Sequence, residues 1–265
     1  MPLPVAENAA FAYSFSIKKT GKSESSMAGI IALDKDAHRD LRIDTHPSEA
    51  YGDNVGMIGV VPREFGRLVA HYPIFLRRTP ADDAFECGAM LGFAGNENLF
   101  LSGDRWDALY VPLNVQRQPF AVVARPGGDP NNLAVAVDSD SPRLLKDGGE
   151  ALFLSDGQPT EYLQRVSAAL NEMVQGSRMG SEYTAKLDAL GLIEKVRVDI
   201  EFANRSQVKL DGLYSISRDK LQALSVKKLG ELRDAGYLEW VYIQLASLVH
   251  MNALIARKNL KLAGA

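Results

Sequence analysis

The segment Val196-Arg-Val-Asp-Ile-Glu-Phe202 alternates apolar and charged residues without a break. A two-residue period places Val196, Val198, Ile200 and Phe202 on one face of a strand, and Arg197, Asp199 and Glu201 on the other. The turn Ala203-Asn-Arg-Ser206 leads into a second strand-like run, so the pattern predicts a β-hairpin over residues 196–216. Before the hairpin the period is three to four. Leu163, Val166, Leu170 and Met173 share one helical face, with Thr160 placed as the N-cap. A second helix is expected over SEYTAKLDALG, stopped by Gly191 at the C′ position. After the hairpin, residues 217–260 predict two or three helices, the last carrying a stripe of Leu238, Val241, Leu245, Leu248 and Ile255.

The first half has a different texture. VGMIGVVP, YPIFLRRT, CGAMLGFAG, FAVVARPGG and LAVAVDSDSP are apolar runs of strand length, bounded by Gly, Pro, Asn or Asp. PREFGRLVAHY suggests a short helix among them. The expected class is α+β, with a largely antiparallel β N-terminal region followed by a helical C-terminal part that contains the hairpin. Along the chain this gives an irregular N-terminal arm over 1–27, a β-rich region over 28–158 and an α+β region over 159–265, the last two packed as one compact unit.

Composition narrows the function classes. A chain of 265 residues can bury a sizeable core without disulfides or metals. Lys+Arg 30 against Asp+Glu 33 leaves a net charge of −3, without the basic excess expected of a nucleic-acid binder. One cysteine, Cys87, excludes an internal disulfide and fits a reducing compartment. The first residues lack a basic start followed by an apolar block, and no stretch approaches the roughly 18 unbroken apolar residues of a membrane span. A cytoplasmic protein without a membrane span is expected.

Several stretches resemble catalytic motifs in part. His38-Arg39-Asp40-Leu41 copies the opening of a kinase catalytic loop, but Thr45 stands where that loop needs Asn, and neither a glycine-rich loop nor Asp-Phe-Gly accompanies it. His38 and Asp40 are also spaced for two ligands of a non-haem iron site, with His46, His71 or His250 as the third. They are the catalytic candidates. The plainer reading is an Asp-rich turn whose side chains satisfy backbone groups. Asp138-Ser-Asp-Ser-Pro142 begins like a calcium loop, but Arg143 and Gly149 occupy the positions that need Gly and Glu. Cys87 lies in an apolar run as a buried thiol would, and Ser155 lacks the glycines of a nucleophile elbow. No motif calls for a cofactor or a metal.

The block from His71 to Val123 is the most distinctive. It contains Tyr72-Pro73-Ile74, Leu91-Gly92-Phe93, Glu97-Asn98-Leu99-Phe100, Trp106, Tyr110-Val111-Pro112 and Arg117-Gln118-Pro119-Phe120. In this order the motifs resemble the SapC family of bacterial proteins, as do His38, Leu41 and Arg42 before them and the hairpin region after them. The resemblance spans about residues 28–255, and Gln118 and Leu113-Asn114 depart from the pattern. It implies an association with bacterial surface layers and with outer-membrane uptake receptors and peptide-modifying enzymes.

The physical content of the block is a concentration of rings, at Tyr72, Phe75, Phe93, Phe100, Trp106, Tyr110 and Phe120, interleaved with Arg77, Arg78, Asn98 and Arg117. Tyr72, Arg77, Asn98, Trp106, Tyr110, Arg117 and Phe120 are accordingly the candidate ligand-binding residues, walling a groove for a peptide or protein partner. That partner would be a modifying enzyme or a receptor segment. The bland alternative is a β core whose rings fill volume. Two rival functions stand beside a binding protein: an iron-dependent peptide-modifying oxygenase built on His38 and Asp40, and a surface-layer structural or assembly component.

Overall fold

A computed structural model describes residues 29–124 and 133–264. The expected arm over 1–27 and the tail of FAVVARPGG lie outside the described residues. In chain order the strands are β1 (Ile30–Ala32), β2 (Arg42–Ile43), β3 (Met57–Gly59), β4 (Ile74–Arg78), β5 (Phe85–Met90), β6 (Leu101–Ser102), β7 (Arg105–Trp106), β8 (Phe120–Ala124), β9 (Leu133–Asp138), β10 (Leu144–Leu145), β11 (Glu150–Ala151), β12 (Ile193–Glu201) and β13 (Gln207–Ile216). The helices are α1 (Phe65–Leu68), α2 (Leu113–Gln116), α3 (Glu161–Ala189), α4 (Arg218–Gln222), α5 (Val226–Asp234), α6 (Tyr237–Ser247) and α7 (His250–Ala263). The fold is α+β: every strand pair is antiparallel, strands dominate the first half and helices the second.

Two compact units share the chain, and each is made from two separate segments. Among the described residues, the first comprises those up to Thr45 together with those of Arg117–Leu170, and the second those of His46–Gln116 and from Asn171 onward. Contacts, not chain order, set this division. In the first unit, β1, β9 and β8 form one small sheet and β10, β2 and β11 another. Its core gathers Ile43, Phe120, Val137 and Leu152 around Leu163, Val166 and Leu170 of α3.

The second unit is organised by a five-stranded sheet of order β12-β13-β4-β5-β3. Its larger core includes Phe65, Leu68, Tyr72, Phe75 and Leu76, together with Tyr183 and Leu187 of α3 and Val241 and Leu245 of α6. The hairpin forms where the alternation predicts it. A β-bulge lies opposite Arg197, where Asp211 and Gly212 of β13 face one residue of β12, and Gly212 takes the left-handed φ of 78° that such an insertion needs.

α3 differs from the expectation of two helices. It runs unbroken through Gly176 and Gly180, each of which costs about 1 kcal/mol relative to Ala in a helix interior. The reason is tertiary. A Cβ on Gly176 would lie 2.7 Å from Val61, and one on Gly180 would lie 3.2 Å from Pro62, so the missing side chains admit a neighbouring segment. The ends of α3 are as read from sequence. The Leu163 amide donates to Thr160 Oγ1 at 3.3 Å. At the other end Leu192 N–H reaches the Leu187 carbonyl and Gly191 N–H the Asp188 carbonyl, with Gly191 at φ 69°. Gly191→Ala is expected to lower stability by about 1 kcal/mol through that left-handed position, measurable as a shifted urea midpoint at unchanged slope.

Candidate functional site

The rings of the distinctive block divide between core and surface. Tyr72, Phe75, Phe93, Phe100 and Phe120 are buried, while Trp106 and Tyr110 remain half-buried. Phe120 and Arg117 belong to the first unit. There Phe120 packs edge-on to Tyr162 at 6.3 Å, and the Arg117 guanidinium donates to the Phe120 carbonyl at 2.6 Å, with burial lowering its pKa to about 10. The other five candidates lie in the second unit, and three of them form one network.

That network centres on a residue the sequence did not single out. Glu64 closes a short 3-10 turn just before α1 and is almost fully buried. Its Oε1 accepts the Val61 amide at 3.0 Å; its Oε2 accepts the Leu113 amide at 3.0 Å and the Tyr110 hydroxyl at 2.9 Å. The Tyr110 carbonyl accepts the Tyr72 hydroxyl at 2.5 Å, and the Tyr72 oxygen in turn accepts the Trp106 indole N–H at 2.7 Å. Burial holds the Glu64 carboxyl above the ordinary glutamate range, although these three hydrogen bonds and the nearby Arg67 pull the other way. Burial, reinforced by the Glu64 charge, also raises the Tyr110 hydroxyl, so it stays a protonated donor at neutral pH. A flag in sequence would have been the carboxylate of Glu64 in PREFG, two residues after a helix-initiating Pro and directly before Phe65.

A second set of bonds fixes the segment between Trp106 and Tyr110. Arg257 of α7 donates to Asp107 Oδ2 at 2.5 Å and to the Asp107 carbonyl at 3.1 Å, and its guanidinium lies 4.5 Å from the centre of the Phe100 ring. Asp107 N–H reaches the Phe100 carbonyl at 2.7 Å. Arg67 sits 4.8 Å over the Tyr110 ring and pairs with Glu172. Between these ties Leu109 is 96% exposed. A short loop clamped on both sides thus holds an apolar side chain in water.

His71 flanks this loop. It stands edge-on to Tyr72, and burial, aided by the nearby charges of His250 and Arg257, lowers its pKa, while Asp107 opposes them. His250 is fixed at the start of α7 by a 2.6 Å bond to the Val69 carbonyl. Asn98 and Arg77 have local duties. Asn98 donates to the Asp53 carbonyl at 2.8 Å and accepts the Phe100 amide at 2.9 Å, tying two loops together. Arg77 pairs with its cross-strand neighbour Glu86 at 2.6 Å.

His38 and Asp40 lie in the first unit. His38 Nδ1 is 2.9–3.0 Å from the backbone N and O of Asp34, and Asp34 Oδ1 accepts the amides of Asp36 and Ala37. This is the turn geometry in which side chains satisfy the backbone. Asp40 is exposed beside it. Among the described residues no three His, Cys, Asp or Glu side chains come together to hold a metal ion. Cys87 is buried in β5, and burial raises its thiol pKa well above the usual range, which keeps it a thiol.

Fold and site together define an α+β protein in which a buried carboxylate and a tyrosine–tryptophan chain brace a surface loop. The sequence model of the SapC family matches residues 33–254, and the chain belongs to that family. No curated protein and no solved structure matches it. No helix among the described residues is long and apolar enough to cross a membrane.

Proposed function

We propose that this SapC-family chain is a cytoplasmic accessory protein that recognises a peptide or protein segment for a partner modifying enzyme or an outer-membrane receptor. The contact surface is the loop from Asp104 to Tyr110. Trp106 and Tyr110 supply half-exposed rings, while Tyr72 and Asn98 act from below as supports. One observation carries this reading: Leu109 stays almost wholly in water on a loop whose neighbours are fixed by Glu64, Tyr72 and Arg257. A held apolar side chain loses little entropy when a partner covers it, which is the economy of a binding hot spot. Arg77 and Arg117 take part in local structure and lie outside this surface.

The test is to pan a displayed random-peptide library against the intact chain. Selected peptides are expected to carry apolar residues and to lose about tenfold or more in affinity for Leu109→Asp, a change of about 1.4 kcal/mol. The substitution itself should leave unfolding unchanged within about 0.5 kcal/mol, because Leu109 packs against nothing. Selected peptides that bind the variant and the parent alike would remove the loop from the reading.

A further inference from the structure

One edge of the five-stranded sheet is complementary to itself. β12 ends the strand order, runs for nine residues and contains no proline. The bulge that bends the hairpin lies in β13, and β12 keeps its alternation from Lys195 to Glu201. Long edges of this kind are ordinarily blunted, because their free N–H and C=O groups template another strand. Here the side chains determine which strand fits. On one face Lys195, Arg197, Asp199 and Glu201 are exposed; on the other, Val196 and Val198 are half-buried and Ile200 is buried.

We infer that β12 pairs antiparallel with β12 of a second copy of this chain, with Val198 opposite its counterpart on the two-fold axis. In that register Arg197 faces Asp199 of the second copy and Lys195 faces its Glu201, and symmetry repeats both pairs. On the other face Val196 meets Ile200 of the second copy. Each opposite-charge or apolar cross-strand pair contributes roughly 0.2–1 kcal/mol. The neighbouring registers fail on charge. Centring the axis on Arg197 or Asp199 sets two like charges face to face. Centring it on Val196 places Lys195 against Arg197, and centring it on Ile200 places Asp199 against Glu201. A shift that exchanges the two faces would put charges against valines.

Existing contacts do not hold these groups back. Lys195 lies 3.8 Å from Asp211 with both side chains exposed, and Glu201 accepts from Gln207 at 2.9 Å at the surface. Such exposed contacts are worth little. The isologous pairing joins two five-stranded sheets into one continuous sheet.

Sedimentation velocity of the intact chain over a concentration series, with two single substitutions, tests the inference. The parent chain should show a monomer–dimer equilibrium. Arg197→Asp sets Asp against Asp199, and Asp199→Arg sets Arg197 against Arg. Each alone should weaken dimerisation about tenfold or more. Mixed together, the two variants should form a heterodimer near parental affinity, since every position then faces its opposite charge. A parent chain monomeric throughout, or variants that dimerise as it does, would overturn the pairing. Weakened variants whose mixture stays monomeric would overturn the register. Neither residue belongs to the Leu109 loop, so peptide selection on that loop reads out separately.

Discussion

Glu64→Ala should cost about 3–5 kcal/mol of folding stability, a large share of what a chain of this size has to spare. The substitution leaves three donors facing an empty volume: the Val61 amide, the Leu113 amide and the Tyr110 hydroxyl. Each buried donor without an acceptor costs about 1–3 kcal/mol, less whatever water recovers. The loss should spread to the Trp106–Tyr110 loop, because Tyr72 is bonded to the Tyr110 carbonyl that this donor set positions. Urea unfolding gives the magnitude, and tryptophan fluorescence reports the loop through Trp106. A loss below about 1 kcal/mol would mean that the carboxylate is not the hub of the network.

Glu64→Gln, which keeps the shape, separates charge from geometry. The folded-state pKa of Glu64 is raised by burial above its reference value of 4.5. A raised carboxyl pKa contributes stability that is complete below the unfolded value and is lost as pH rises through the folded one. The parent chain's stability relative to Glu64→Gln is therefore expected to be highest below pH 4.5 and to fall above it. Paired urea titrations across this range check the sign.

The second large effect is expected at Gly92, where an added methyl meets backbone, not a flexible side chain. A Cβ there would lie 2.2 Å from the Glu97 carbonyl oxygen and 2.9 Å from its carbon. That close crossing lets the Leu99 amide reach the Leu91 carbonyl while the amides of Leu91 and Gly92 both reach Gly56. Gly56 has the mirror problem, with its own Cβ 2.1 Å from the Ala94 carbonyl oxygen. Overpacking a core typically costs 1–3 kcal/mol, and backbone has less room to give, so Gly92→Ala is expected to cost about 3 kcal/mol or more. Thermal unfolding would report this as a drop of several degrees. An unchanged midpoint would show that the loop can open without loss.

Particular residues show where sequence reading reached and where it stopped. The β12–β13 hairpin, the Thr160 cap and the Gly191 stop were legible because each depends on groups a few residues apart. The same local logic identified the His38 turn as a turn. It failed at Gly176 and Gly180, where glycine signals either a break or a close approach and the deciding neighbours are Val61 and Pro62, more than a hundred positions away. It also failed to separate α6 from α7. The Ser247 hydroxyl there accepts the Ile74 amide at 2.9 Å and donates to the Gln244 carbonyl at 2.6 Å, so a sheet contact helps end one helix before the next begins. At the site the sequence supplied the rings and their density. Burial then assigned most of them to the core.

By itself the sequence determined the α+β class, the alternation along β12, the ends of α3 and membership of the SapC family, because periodicity, capping and motif order are written in near neighbours. Only the tertiary structure decided that Glu64 gathers three donors, that Tyr72 and Asn98 are buried, and that Leu109 stands in water. Those outcomes depend on which distant donors, rings and backbones meet, and on how much solvent the meeting excludes.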